Sequence, residues 1–165
     1  MTRLDHVSVT VSDLDRSIAF YRDTIGLPFL GRGTSDGSDM ARLTGFDGAR
    51  LEWAELDLGG GQLLELVRYR SPEGAPLDQA TNRPGSGHVG LSVEDLDAPY
   101  ARLLAAGAAV RSEPVAIEED GDWHGVRCLY ALDPDGVTIE LVERAPARRV
   151  VEIPDLDAVR RDRTS

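Results

Sequence analysis

Two histidines and two glutamates stand out, because each type recurs at matching places in a duplicated sequence. His6-Val-Ser-Val-Thr-Val-Ser-Asp-Leu-Asp returns 82 residues later as His88-Val-Gly-Leu-Ser-Val-Glu-Asp-Leu-Asp. Each copy closes on an apolar stretch holding one acid, Leu64-Glu65-Leu66-Val67 and then Ile139-Glu140-Leu141-Val142. A carboxylate flanked by leucine and valine is expensive to bury unless something pairs with it. One divalent cation would pair with both glutamates and accept both imidazoles. That donor set suits a borderline ion such as Zn²⁺, Ni²⁺, Co²⁺, Mn²⁺ or Fe²⁺, and an octahedral ion would keep two positions open. A single strand histidine or glutamate would mean little. The order His, Glu, His, Glu in a repeated module points to a metal site pooled from two modules.

Open positions on such an ion can take up a substrate carbonyl and stabilise the enolate formed when the neighbouring C–H loses its proton. The expected partner is therefore a small carbonyl-containing molecule. A base is also needed. A carboxylate near the ion could take the proton, and Glu52 and Glu55 are candidates on the strand before Glu65, where parity puts them on opposite faces. His124, in the acidic loop 118–125, is a further acid/base candidate, and Trp123 beside it could cover a substrate. Arg127 is read either as orienting an anion or as pairing with the acids of that loop.

The elements that must carry these groups follow from periodicity. Leu4, His6, Ser8 and Thr10 alternate with Asp5, Val7, Val9 and Val11, which predicts a strand over 4–11. Ser12 is placed to cap a helix with Asp15 three residues on. Leu14, Ile18, Tyr21 and Ile25 form its apolar stripe, and Gly26 ends it. A short strand is expected near 27–32, a loop over 33–48, and a hairpin of 51–58 with 62–68 around Gly59-Gly60-Gly61. The second copy predicts a strand over 88–93, a helix over 95–106 ended by Gly107, and a strand near 109–113. A hairpin of 126–132 with 137–143 then turns at Asp133-Pro134-Asp135-Gly136.

The expected fold class is thus α+β, with two tandem βαβββ modules forming a cupped mixed sheet around a central metal site. The expected boundaries are a first module at 1–69, a linker at 70–87, a second module at 88–143 and a C-terminal arm at 144–165. Neither half could cover its own sheet, so the two should bury one continuous interior. With both modules in one chain, the expectation is a metal site formed within a single subunit. Free sheet edges and the arginine-rich arm still favour a homodimer.

Composition removes several other classes of function. The net charge of −11 argues against nucleic acid or an anionic membrane as partner. No apolar run reaches the roughly 20 residues of a membrane span, and the start of the chain shows no secretory h-region, so a cytoplasmic protein is expected. All 18 basic residues are arginine, which excludes lysine chemistry from this chain. The lone Cys128 can form no intrachain disulfide and is expected to be a small core residue.

On these motifs the chain resembles the vicinal oxygen chelate superfamily, the glyoxalase, bleomycin resistance and extradiol dioxygenase group. The resemblance covers about residues 3–143. It rests on the two histidine strands, on Phe20-Tyr21-Arg22-Asp23-Thr24-Ile25-Gly26-Leu27, and on Asp133-Pro134-Asp135-Gly136 before Ile139-Glu140-Leu141-Val142. It implies metal ligands at His6, Glu65, His88 and Glu140. Members resembling methylmalonyl-CoA epimerase and glyoxalase I are closest in kind, which implies an isomerase or epimerase, with a lyase as alternative. Bacterial glyoxalase I-like enzymes place an arginine four residues after the first ligand, where this chain has Thr10. Extradiol dioxygenases use Fe²⁺ with two histidines and one carboxylate, so a fourth ligand at Glu65 counts against them. Drug-sequestering relatives lack the metal residues altogether.

Overall fold

The computed structural model describes residues 2–144, and the expected C-terminal arm lies almost wholly outside them. In chain order the elements are β1 (His6–Thr10), α1 (Leu14–Ala19), β2 (Phe29–Ser35), α2 (Ser38–Thr44), β3 (Arg50–Gly59), β4 (Gln62–Ser71), β5 (His88–Val93), α3 (Asp97–Ala105), β6 (Val115–Ala116), β7 (Arg127–Leu132) and β8 (Thr138–Glu143). They form two four-stranded mixed sheets, β1-β4-β3-β2 and β5-β8-β7-β6. In each sheet the first and last strands run parallel and the remaining pairs antiparallel. This is the α+β arrangement of tandem βαβββ modules. Among the described residues the two sheets share no ladder.

Period-2 alternation assigns the faces. Val9, Leu64, Leu66, Ala54 and Leu56 point from the first sheet into a common core. Leu129, Ala131, Ile139 and Leu141 enter the same core from the second. Leu14, Ile18 and Tyr21 of the first helical segment meet Leu96 and Leu103 of the α3 region inside it, as the repeat logic expects. Polar clamps add to this packing. The buried Tyr21 hydroxyl donates to Asp133 Oδ2 at 3.0 Å, and Asp133 also accepts from the backbone N–H of Asp135 and Val137. Arg102 donates to the carbonyls of Thr24 and Ile25 at 2.8 and 3.2 Å, satisfying groups at the end of the first helical segment.

Several local expectations are corrected. Asp13, not Ser12, caps α1 by accepting from the Arg16 backbone N–H at 3.0 Å. Ser12 Oγ instead donates to Asp135, 123 residues away, and the same carboxylate takes Arg16. The helix continues through a π segment, Phe20–Ile25, and ends at Gly26 with φ 100°. The stretch expected to be a loop extends β2 to Ser35 and forms α2, which lays Met40 beside Leu51, Val67, Trp53 and Tyr69. The strand expected near 109–113 reduces to a bridge from Val110 to Ala131, and the pairing moves on to β6.

Candidate metal centre

His6 lies on the solvent side of β1, on the face opposite the core-directed Val9. The parallel register places Ser8 beside Glu65, so His6, Ser8, Thr10 and Glu65 share that outer face. His6 Nε2 stands 3.8 Å from Glu65 Oε2, while its Nδ1 is held at 2.8 Å by Asp5. The second module repeats the arrangement. Gly90 pairs with Glu140, and His88 Nε2 stands 3.2 Å from Glu140 Oε2. The Glu140 carboxylate lies over Gly90, where a Cβ would be in ordinary contact with Oε2 at 3.5 Å.

The 3.2 Å separation of His88 and Glu140 fits two ligands of one ion, and the 3.8 Å separation of His6 and Glu65 is wider than that spacing. Donors about 2.1 Å from a metal and at right angles stand about 3.0 Å apart, and tetrahedral donors slightly further. Among the described residues neither glutamate has an arginine within ion-pair distance; each is met only by its histidine. Two partly buried carboxylates partnered by imidazole alone make a donor set that a divalent cation would complete.

The four do not gather in one chain. Among the described residues no group of three or more His, Cys, Asp or Glu is close enough to hold an ion. Among the described residues the four stand as two separate His–Glu pairs. The reason is the packing. Both sheets turn the face opposite their ligands toward the shared core, and the clamps from Tyr21 and Arg102 hold the modules together on that side. Among the described residues β1 and β5 are sheet edges, and a groove of about 940 Å³ is lined by Ser8, Ser12, Tyr69, Leu77, His88 and Val137.

The remaining candidates separate cleanly. Glu55 pairs directly with Glu65 across β3 and β4, on the ligand face. Glu52 lies on the opposite face, 3.9 Å from both Arg68 and Arg70. His124 is exposed in its loop, with Nδ1 3.1 Å from the Glu118 carbonyl, and reaches neither pair through any described contact. Arg127 binds Asp97 and Glu143, at 2.5 and 3.0 Å, rather than the loop acids. The hydrogen bond that His6 donates to Asp5 raises the His6 pKa above its ordinary value, aided by the charges of Glu65 and Glu55 and opposed by desolvation.

Three residues on these faces escaped the sequence reading. Tyr130 pairs with Glu140 and holds its ring 5.4 Å from that of His88. Burial raises its phenol pKa, and the Glu140 charge adds to the effect. Cys128 is two residues away on the same face and half-buried, not a core residue; burial and Glu140 push its thiol pKa up. Trp53 lies two positions from Glu55, its indole packed on Gly33 and donating to Ser35 Oγ at 3.2 Å. Strand parity relative to Glu140 or Glu65 was the available signal for all three.

Comparison with known proteins agrees with this geometry. Residues 3–141 match the family described as Glyoxalase/Bleomycin resistance protein/Dioxygenase superfamily. A 2-epi-5-epi-valiolone epimerase from Actinomyces sp is 33% identical over 141 residues, spanning 83% of this chain and 76% of the relative. A probable lactoylglutathione lyase from Vibrio parahaemolyticus is 28% identical over 91% of this chain and 96% of its own. A glyoxalase family protein from Bacillus cereus superposes with a TM-score of 0.75 at 30% identity, covering 86% of this chain and 93% of that one. Its similarity extends to both modules.

Proposed function

Because this chain belongs to the glyoxalase/bleomycin resistance protein/dioxygenase superfamily, we propose that it is a divalent-metal-dependent epimerase or isomerase moving a proton at the carbon next to a carbonyl. The observation that carries this reading is the pair of equivalent His–Glu sets, His6 with Glu65 at 3.8 Å and His88 with Glu140 at 3.2 Å, each glutamate met only by its histidine among the described residues. His6, Glu65, His88 and Glu140 would hold the ion. When bound, it supplies a positive charge for the oxygen on which the enolate charge develops.

The chain's own groups account for the proton. A carboxylate beside the substrate takes it from carbon, leaving an enolate, and a carboxylic acid returns one to carbon. Inversion at one centre requires these two groups to work from opposite sides. Glu55 and Glu140 suit this division, being carried on different sheets and each lying on a ligand face. Glu140 is both ligand and acid/base group, so it must exchange one role for the other during turnover. Trp53 and Tyr130 give the two faces apolar surface that excludes water from the reacting carbon. Glu52, His124 and Arg127 take no part.

The lyase reading shares the same proton transfer and is favoured by the lactoylglutathione lyase relatives. Thr10 argues against it, because its short neutral side chain offers no cation for a glutathione carboxylate. The test is a screen of carbonyl metabolites in heavy water with the metal-loaded protein. The epimerase reading expects deuterium at the carbon next to the carbonyl, with no oxygen uptake and no thiol requirement. Turnover only in the presence of glutathione would replace it with the lyase, and oxygen consumption with catechols would replace it with a dioxygenase.

A further inference from the structure

We propose that Trp53, backed by α2, is the specificity platform of this site and selects an uncharged carbonyl compound bearing a compact apolar group. The inference rests on the proton-transfer reading above and adds which class of substrate that site takes.

The register of the first sheet lays out its ligand face in rungs. Ser8, Glu65, Glu55 and Gly31 make one rung. A Cβ at Gly31 would meet nothing within 4 Å, so the space beside Glu55 is open. The next rung toward α2 is Thr10, Val67, Trp53 and Gly33, and beyond it Leu51 lies between Tyr69 and Ser35. Neither of these two rungs carries a carboxylate, imidazole or guanidinium. Each step along the strands is about 7 Å, two residues of extended chain. A substrate with its carbonyl at the Glu55–Glu65 rung therefore meets Trp53 and Val67 with its next few carbons.

Trp53 is fixed before any ligand arrives. Its indole lies over Gly33, where a Cβ would stand 2.5 Å from the ring, and its N–H donates to Ser35 Oγ at 3.2 Å. A ring already held loses little freedom on binding. Met40 of α2, Trp53 and Tyr69 all pack against the buried cluster of Ala49, Leu51 and Val67. Phe46, just past α2, meets Tyr69 edge to face with ring centres 6.0 Å apart. This wall closes the apolar end of the face.

The second module repeats the donors but not the platform. Tyr130 stands opposite Glu140 as Glu55 stands opposite Glu65, and two residues earlier the chain has Cys128 where the first module has Trp53. No helix stands between β6 and β7 as α2 stands between β2 and β3. Apolar bulk thus comes from the first module. Charge selects as well. Arg32, Arg68 and Arg70 lie by parity on the other face of the sheet, beside Asp15 and Glu52. A carboxylate or phosphate brought over Trp53 and Val67 would lose water without gaining a cation.

Three hydroxyketones that differ only beyond the carbonyl test this: hydroxyacetone, 2-hydroxyacetophenone and the para-carboxylate of the latter. In a Trp123→Phe chain Trp53 is the only tryptophan, and its fluorescence reports binding with and without Zn²⁺. The uncharged phenyl compound is expected to bind about tenfold or more tighter than either of the others, the usual discrimination of an apolar pocket. Calorimetry on the wild-type chain should give the same order. Trp53→Ala should bring the three affinities together, and Trp53→Phe should keep most of the preference, with circular dichroism to establish folding. Should Trp53→Ala not fold, Gly33→Ala, which displaces the same ring, is expected to weaken the preference instead. Equal wild-type affinities, tightest binding of the carboxylate, no saturable binding, or a preference unchanged in the folded variant overturns the inference. Deuterium exchange into the same probes separates the two readings. Exchange without preference overturns the platform alone, and preference without Zn²⁺ uptake or exchange counts against the metal-dependent reading alone.

Discussion

Glu55 and Glu65 stand directly opposite each other on neighbouring antiparallel strands, both on the face that carries His6. Two carboxylates paired across strands repel unless a cation or a proton relieves them. Here the nearest relief is His6, whose pKa is raised chiefly by Asp5 and further by these two acids. The arrangement separates a ligand from a candidate base by one strand spacing.

Glu55→Gln is expected to lower turnover by about 10²–10⁴, the usual contribution of a general acid or base, while metal content stays at the wild-type value. Glu52→Gln, on the other face with Arg68 and Arg70, should change turnover by less than a few-fold. Steady-state rates of the two variants, with metal analysis alongside, check this. Equal losses from both would remove Glu55 from the chemistry.

Metal content provides a second check. Protein purified without chelator is expected to carry one divalent ion per chain, and His88→Ala should reduce this at least tenfold, as should His6→Ala. His124→Ala should leave both metal and activity within about two-fold, because that imidazole engages its own loop. Undiminished metal in His88→Ala would sink the assignment of the site.

The clamp between Tyr21 and Asp133 predicts a pH-dependent cost. Burial raises the Asp133 pKa, and the hydrogen bonds it accepts from Val137, Tyr21 and Asp135 oppose the rise. Tyr21→Phe removes one of these donors, so the folded-state pKa climbs further above the unfolded value. The lost bond matters most for the ionised acid. Destabilisation of about 1–3 kcal/mol is therefore expected at pH 7, shrinking as pH falls through the folded pKa and Asp133 becomes protonated. Denaturant titrations at pH 7 and pH 4 check the sign; a penalty that grows toward acid contradicts it.

Gly33 supports Trp53 by having no side chain. A Cβ at Gly33 would stand 2.5 Å from the indole, so Gly33→Ala must displace the ring and break its bond to Ser35. A cost of about 1–3 kcal/mol is expected, and it should largely vanish in a Trp53→Ala background. A thermal denaturation cycle over the four proteins measures the coupling. Additive losses would show that the ring is not what Gly33 accommodates.

Much of this molecule was legible locally. Alternation in Leu4–Val11 and the apolar stripe Leu14, Ile18, Tyr21 and Ile25 announce a strand and a helix because each pattern is set by the period of its own backbone. Parity alone placed Glu52 and Glu55 on opposite faces. The short α2 was not legible, since it has no apolar stripe: Met40 packs against the cluster of Ala49, Leu51 and Val67 while Leu43 stays exposed. The capping of α1 was misread because Ser12 is drawn away by Asp135, a partner that proximity in sequence could not reveal.

The same division holds for the site. The duplication of His6 and Glu65 in His88 and Glu140 marked four candidate donors in the sequence, because equivalent positions in a repeated module carry equivalent side chains. The structure sets His6 beside Glu65 and His88 beside Glu140. Whether the two pairs meet inside one chain was a question of how the modules dock, and only the tertiary structure decided it. The apolar residues of both sheets merge into one core on the side away from the two His–Glu pairs, which among the described residues stay apart.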